Sequence, residues 1–266
     1  TTQESIDHYY FSHTLTAQKM VADHGPTPYD RMLGESCLVK SIEELAVCYH
    51  PQLKRFVSTG GRTGISYALA INEGVGFIMH ALSRKGALTD LGAKEVGVRV
   101  PTIGHDFPPR RVAAQAIDGP WGPAWAPDLI DDKPLPFEMT ATFKQWGAFR
   151  DPPKWKKSWL GRHYGVASHD CSMGTLQQMA IWNRSAEPAT SANDIGLFTV
   201  RFGFNRTNML DSFHYNPKND RANPNGVLGE QGGHTACLQH RGTMVVLSSP
   251  YPGLKSSADL KPDSEP

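Results

Sequence analysis

The residues best suited to chemistry in this chain cluster in WLGRHYGVASHDCSMGTLQQMAIW, positions 159–182. His163, Tyr164, His169, Asp170 and Cys171 stand there between apolar residues, with glycines at 161, 165 and 174 and no sustained helical period. An imidazole beside a phenol is a pairing that moves protons near neutral pH. The short runs at 164–167 and 178–182, bounded by Gly and Ser, read as strands joined by a turn. The same pattern also suits a sandwich strand whose polar side chains simply face solvent.

Spacing limits which histidines can cooperate. On a strand rising about 3.3 Å per residue, His163 and His169 share a face but stand roughly 20 Å apart, as do His234 and His240. At most one of each pair can act on a given bond unless a turn folds the pair together. His8 and His13 lie roughly 140° apart around a helix, which is poor geometry for metal ligands. Neither C-x-x-C nor H-E-x-x-H occurs, and the adjacent His-Asp pairs at 105/106 and 169/170 point apart on a strand. No metal site or cofactor is therefore expected, although loop residues leave room for a structural ion. The glycines at 60, 61 and 64 lack the Lys-Ser/Thr ending of a phosphate loop, and there is no G-x-S-x-G elbow.

The elements that must position these groups follow from pattern and punctuation. Apolar or aromatic residues at Ile6, Tyr9, Tyr10, His13, Ala17, Met20 and Val21 predict a packed helix that Gly25-Pro26 stops. SIEE at 41–44 reads as a capping box opening a short helix that ends before Pro51. Ile65, Leu69, Val75, Ile78, Met79 and Leu82 mark a long helix terminated by Gly86. Turn chemistry then dominates to Pro136, with a short strand at 96–101, a short helix at 110–116 and the aromatic loop GPWGPAW. Trp121 and Trp125 in that loop suit either a sugar-stacking platform or an inter-domain plug. FEMTATF at 137–143 alternates as a strand with one wet face, and further strands are expected at about 164–169, 176–182, 195–202 and 243–248. The polar excursion at 205–233 is long enough to suggest a ligand-covering loop.

The expected class is therefore α+β, with N-terminal helices followed by antiparallel strands. Its divisions are a helical part (1–90), a connecting segment (91–136), a β part (137–256) and a mobile tail (257–266). The 27 basic and 26 acidic residues leave a net charge of +1, so charge announces neither nucleic acid nor a membrane surface as partner. No apolar run is long enough to span a bilayer. No secretory signal stands at Thr1, which suggests a mature terminus or a fragment. Four cysteines, at 37, 48, 171 and 237, are too few for a disulfide scaffold, so buried thiols are expected, with room for one disulfide.

Taken together, GGRTGISYALAINEGVGFIMHALSRKGALTD, the F-x-Q-W stretch leading to RHYGVAS, and CLQHRGTMVVLSSPYP resemble parts of the heparinase II/III-like polysaccharide lyases. That resemblance implies the last helices of an α/α toroid followed by a β-sandwich, in a fragment or one processed chain of a larger enzyme, secreted or periplasmic. Possible partners are a polysaccharide or oligosaccharide, the rest of a larger chain, or a second copy. It further implies β-elimination from a uronate-containing glycan, with Tyr and His as acid and base. Clustering then selects Tyr164 with His163 or His169, and His234 beyond the long loop, as proton-transfer groups. Arg162 and Arg241 are candidates to meet a carboxylate, Asn225 to polarise it, and Trp121 and Trp125 to stack on sugar. The alternatives are a glycoside hydrolase on a related toroid, using carboxylates such as Asp106, Asp170 or Glu230, and a noncatalytic carbohydrate-binding module.

Overall fold

A computed structural model describes residues 8–59, 73–85, 119–143, 154–169, 178–190, 194–200 and 235–248. The expected strand at 96–101, the helix at 110–116, the long loop, the tail, and His234, Asn225, Asp106, Asp170, Cys171 and Glu230 lie outside them. The chain is α+β: helices come first, and a five-stranded antiparallel sheet follows.

Helix α1 (His8–His24) and helix α2 (Pro28–Cys48) form a hairpin joined through Gly25, Pro26 and Thr27. Thr27 caps α2: its hydroxyl accepts from the Asp30 amide at 3.1 Å, and the Asp30 carboxylate accepts from the Thr27 amide at 3.1 Å. Pro28 supplies a preset φ in the first turn. This overturns the expected helix start at Ser41, which is buried in the middle of α2. The chain uses a T-x-x-D box instead, and the tertiary packing of the hairpin carries the helix past Gly34. A Cβ at Gly34 would stand 2.5 Å from the Ala22 amide nitrogen, so only glycine lets the two helices approach this closely. The buried face of α1 is Phe11, Ser12, Leu15, Thr16 and Lys19, whereas Met20 and Val21 of the expected stripe are exposed.

Helix α3 (Glu73–Leu82) buries Val75, Ile78, Met79 and Leu82, the expected i, i+3, i+4, i+7 face. A short helix, α4 (Ala126–Asp131), is fastened to its end. Asp131 accepts from the Ser83 hydroxyl at 2.5 Å and the Arg84 amide at 2.7 Å, and ion pairs join Arg84 to Asp128 and Lys85 to Asp132.

Strands β1 (Tyr49–His50) and β2 (Arg55–Phe56) form a two-residue ladder after α2. The main sheet then runs β3 (Phe137–Phe143), β4 (Lys154–Leu160), β5 (Tyr164–His169), β6 (Gln178–Asn183) and β7 (Ile195–Val200), each paired with the next. Register places Met139, Ser158, Ala167 and Met179 on one face. Two apolar clusters cover that face. One joins Leu15, Ile42, Leu45, Ile78 and Trp121 to Met139, and the other joins Leu53 and Val57 to Leu160, Ala167, Met179 and Ile181. The opposite face carries Trp159, Tyr164, Ser168 and Trp182, and a hairpin of β8 (Thr235–His240) and β9 (Thr243–Ser248) docks against it. Gln239 makes the joint: it accepts from the Ser168 hydroxyl and donates to the carbonyls of Val166 at 3.2 Å and Arg241 at 3.0 Å.

Among the described residues, Cys37, Cys48 and Cys237 are in the thiol form. Cys48 matches the expected buried thiol, whereas Cys37 is exposed. No described helix is long and apolar enough to cross a membrane.

Candidate functional site

The turn between β4 and β5 concentrates the chemistry. Gly161 donates its amide to the Tyr164 carbonyl at 2.7 Å, closing a tight reversal that leaves Arg162, His163 and Tyr164 exposed side by side. A buried histidine that spacing did not single out holds this turn from beneath. His50 follows Cys48 and Tyr49, an imidazole beside a phenol that was a signal in the sequence, but its role in holding the turn is visible only in the tertiary structure. Its Nδ1 accepts from the amides of Gln52 at 3.2 Å and Leu53 at 3.3 Å, so Nε2 carries the proton and donates to the Gly161 carbonyl at 2.7 Å. Burial is the main influence on this imidazole and pulls its pKa down from 6.5 to about 4, which keeps it neutral at ordinary pH.

Tyr164 is built into its place by glycine on both sides. A Cβ at Gly161 would stand 2.5 Å from the Tyr164 ring, and one at Gly242 would stand 2.3 Å from its hydroxyl. Gly242 belongs to the two-residue turn between β8 and β9, so the phenol marks where that hairpin meets the main sheet. The other residue of the turn, Arg241, adopts φ 50, a left-handed conformation unfavourable for a side chain. The fold thus brings Arg162, Tyr164 and Arg241, three of the expected site residues, to one end of the sheet.

Directly across from Tyr164 in register is Trp182, and both rings are 41 % exposed. Trp182 lies over Gly196, where a Cβ would come within 2.1 Å of the indole. Tyr164 and Trp182 thus stand opposite each other in register on neighbouring strands.

The remaining expected residues are not gathered here. His169 is five positions from Tyr164 on the same strand, hence on the opposite, covered face, and is 3 % exposed. Its amide and carbonyl are both engaged by the Gln178 side chain. It sits in register with Lys156, whose ammonium pairs with Glu44 of α2 in a buried salt bridge. Trp121 is buried in the helical core with Lys19 5.7 Å from its ring, and Trp125 is a partly exposed residue at the start of α4.

A cleft of about 400 Å³ opens beside the turn, lined by Arg162 and His163 on one side and Lys85, Asp131 and Asp132 on the other. Lys133 also lines it, but its amine is spent inward on the carbonyls of Ala46 at 2.6 Å, Val47 at 3.0 Å and Tyr49 at 2.5 Å. Burial draws this amine down to about 7, with the neighbouring Cys48 acting in the opposite direction. A second cleft, of about 450 Å³ between α2 and β3, holds the Lys156–Glu44 pair and lies away from Tyr164. No group of three or more His, Cys, Asp or Glu among the described residues is arranged to hold a metal ion.

Searches of protein-family models, curated proteins and solved structures found no match to this chain.

Proposed function

We propose that this chain is a secreted or periplasmic polysaccharide lyase of the heparinase II/III-like kind, cleaving a uronate-containing glycan by β-elimination. One observation carries the reading: His163 and Tyr164 are consecutive, exposed residues at a glycine-framed turn, preceded by Arg162 and met by the Arg241–Gly242 turn of the docked hairpin. In this reading the arginines offset the substrate carboxylate, which makes the C5 proton acidic enough to remove. His163 takes that proton, the C5 electron pair forms the C4=C5 double bond, and the C4–O bond breaks. The departing oxygen takes the Tyr164 proton, and the imidazolium proton returns to the phenolate. Trp182 offers a flat face for a neighbouring sugar ring.

The helices fit the end of an α/α toroid, and the main sheet with the β8–β9 hairpin fits the start of a sandwich. Exposed Met20, Val21, Tyr29, Met32 and Leu33 on the α1–α2 hairpin support further packing there, by the rest of a larger chain or by a second copy. Incubating the protein with a panel of uronate polymers should raise ultraviolet absorbance from the unsaturated product. Silence across the panel with folded protein would refute the lyase reading.

The exposed Tyr164–Trp182 pair also favours a second reading, a noncatalytic sugar-binding module. In that case glycan affinity survives Tyr164→Phe and is lost on Trp182→Ala, with no unsaturated product from either protein.

A further inference from the structure

The main sheet runs in the order β3 to β7, so among the described residues β3 has a hydrogen-bonded neighbour, β4, on one side only. Along such an edge, alternate residues turn amide and carbonyl outward with no partner strand. Proteins commonly blunt an edge of this kind with lysine, an internal proline or a covering helix. β3 reads FEMTATF and has neither lysine nor proline, whereas Lys154, Lys156 and Lys157 stand on the interior strand β4. Helix α2 stands off from the edge across a cleft of about 450 Å³, which Met139, Thr140, Ala141 and Thr142 line in unbroken succession. Successive residues of a strand alternate between faces, so a cleft touching all four runs along the edge itself.

The strand is also complementary to itself. Turned antiparallel about Thr140, it sets Thr140 opposite Thr140, Met139 opposite Ala141 and Glu138 opposite Thr142, and this is the one register that pairs the strand over its full length. Glu138, Thr140 and Thr142 are the exposed side chains, and in this register threonine meets threonine while no like charges face each other. The two Glu138 positions end up four residues apart along the ladder, about 14 Å. We propose that the outer edge of β3 is a dimerisation surface whose occupant is β3 of a second copy, joining two five-stranded sheets into one about a two-fold axis at Thr140. The surface involves none of the exposed apolar residues of the α1–α2 hairpin, and it rests on nothing in the carbohydrate reading.

Analytical ultracentrifugation of the full chain over about 10–200 µM tests it, and the mass should rise from monomer toward dimer, as suits an interface of modest area. Thr140→Glu faces Lys157 within its own sheet but its own symmetry mate across the axis, so it should weaken association about fivefold or more with the melting temperature unchanged. Thr142→Lys meets Glu138 of the other copy, twice by symmetry, and should tighten association about threefold. That gain is a result no misfolded variant can imitate. Under mild oxidation Thr140→Cys should cross-link to itself above the level of the wild type, whose Cys37 is exposed, whereas Glu138→Cys should not, because its two copies stand beyond disulfide reach. A chain that stays monomeric throughout would overturn the proposal. So would a dimer that neither Thr140→Glu nor Thr142→Lys alters, since its contact must lie on another face. Equal cross-linking of Glu138→Cys and Thr140→Cys would overturn the register.

Discussion

His50 and Gly161 are 111 residues apart in sequence, yet the imidazole Nε2 of one lies 2.7 Å from the carbonyl oxygen of the other. This buried bond ties the loop after α2 to the turn that displays Arg162, His163 and Tyr164. It also makes the turn sensitive to acid. The folded imidazole has a pKa of about 4 against 6.5 for an ordinary histidine, so the unfolded chain takes up the proton first as pH falls. Stability from this residue is fully present above pH 6.5 and is lost as pH drops toward 4, by up to roughly 3 kcal/mol. Denaturant unfolding across that range should show the loss in the wild type and a flatter profile in His50→Gln. Parallel profiles would remove His50 as the cause.

Tyr164→Phe deletes one oxygen and leaves the ring between its two glycines. If the phenol donates the proton to the leaving oxygen, turnover of a uronate polymer should fall by about 10²- to 10⁴-fold with an unchanged melting temperature. A variant that keeps full turnover would leave the hydroxyl without a chemical role.

Arg241 offers a case in which stability and activity should separate. Glycine at this position relieves the left-handed strain, so Arg241→Gly should raise unfolding free energy by about 1 kcal/mol. The same change removes a cation beside Tyr164 and should raise KM for the acidic polymer. Parallel kinetic and unfolding measurements decide the matter; loss of stability would place the arginine in the structural frame instead.

Lys133→Met preserves bulk but strips a donor from three carbonyls around the end of α2. The resulting unsatisfied groups should cost about 3 kcal/mol in denaturant unfolding. A cost near zero would show that water reaches those carbonyls.

Parts of this architecture were legible in sequence because they are local. The alternation of β3 reports a sheet with one wet face, and the apolar spacing of α3 reports one buried stripe. By contrast, KWKKSWL of β4 carries lysines at both parities. Lys156 points inward only because Glu44, on a helix 112 residues earlier, meets it there. The start of α2 was missed because Thr27 and Asp30 form a box with aspartate in the place where glutamate is usual. Arg162, His163 and Tyr164 are consecutive, so sequence alone sets them side by side, whereas Arg241 reaches the same end of the sheet only through the docking of the β8–β9 hairpin. The face that Tyr164 presents, its contact with Gly242 and the support from His50 all depend on pairings across dozens of residues, which no local period encodes.

The bare backbone at Gly196 leaves the Trp182 indole lying against the sheet while its remaining surface meets solvent. Trp121, by contrast, is sealed in the helical core. The molecule therefore carries its own optical probe at the rim of the β4–β5 turn. Iodide should quench this indole readily, and any ligand seated beside Tyr164 should shield it; Trp125 is about as exposed, so the Trp182 signal is the difference between the wild type and Trp182→Phe.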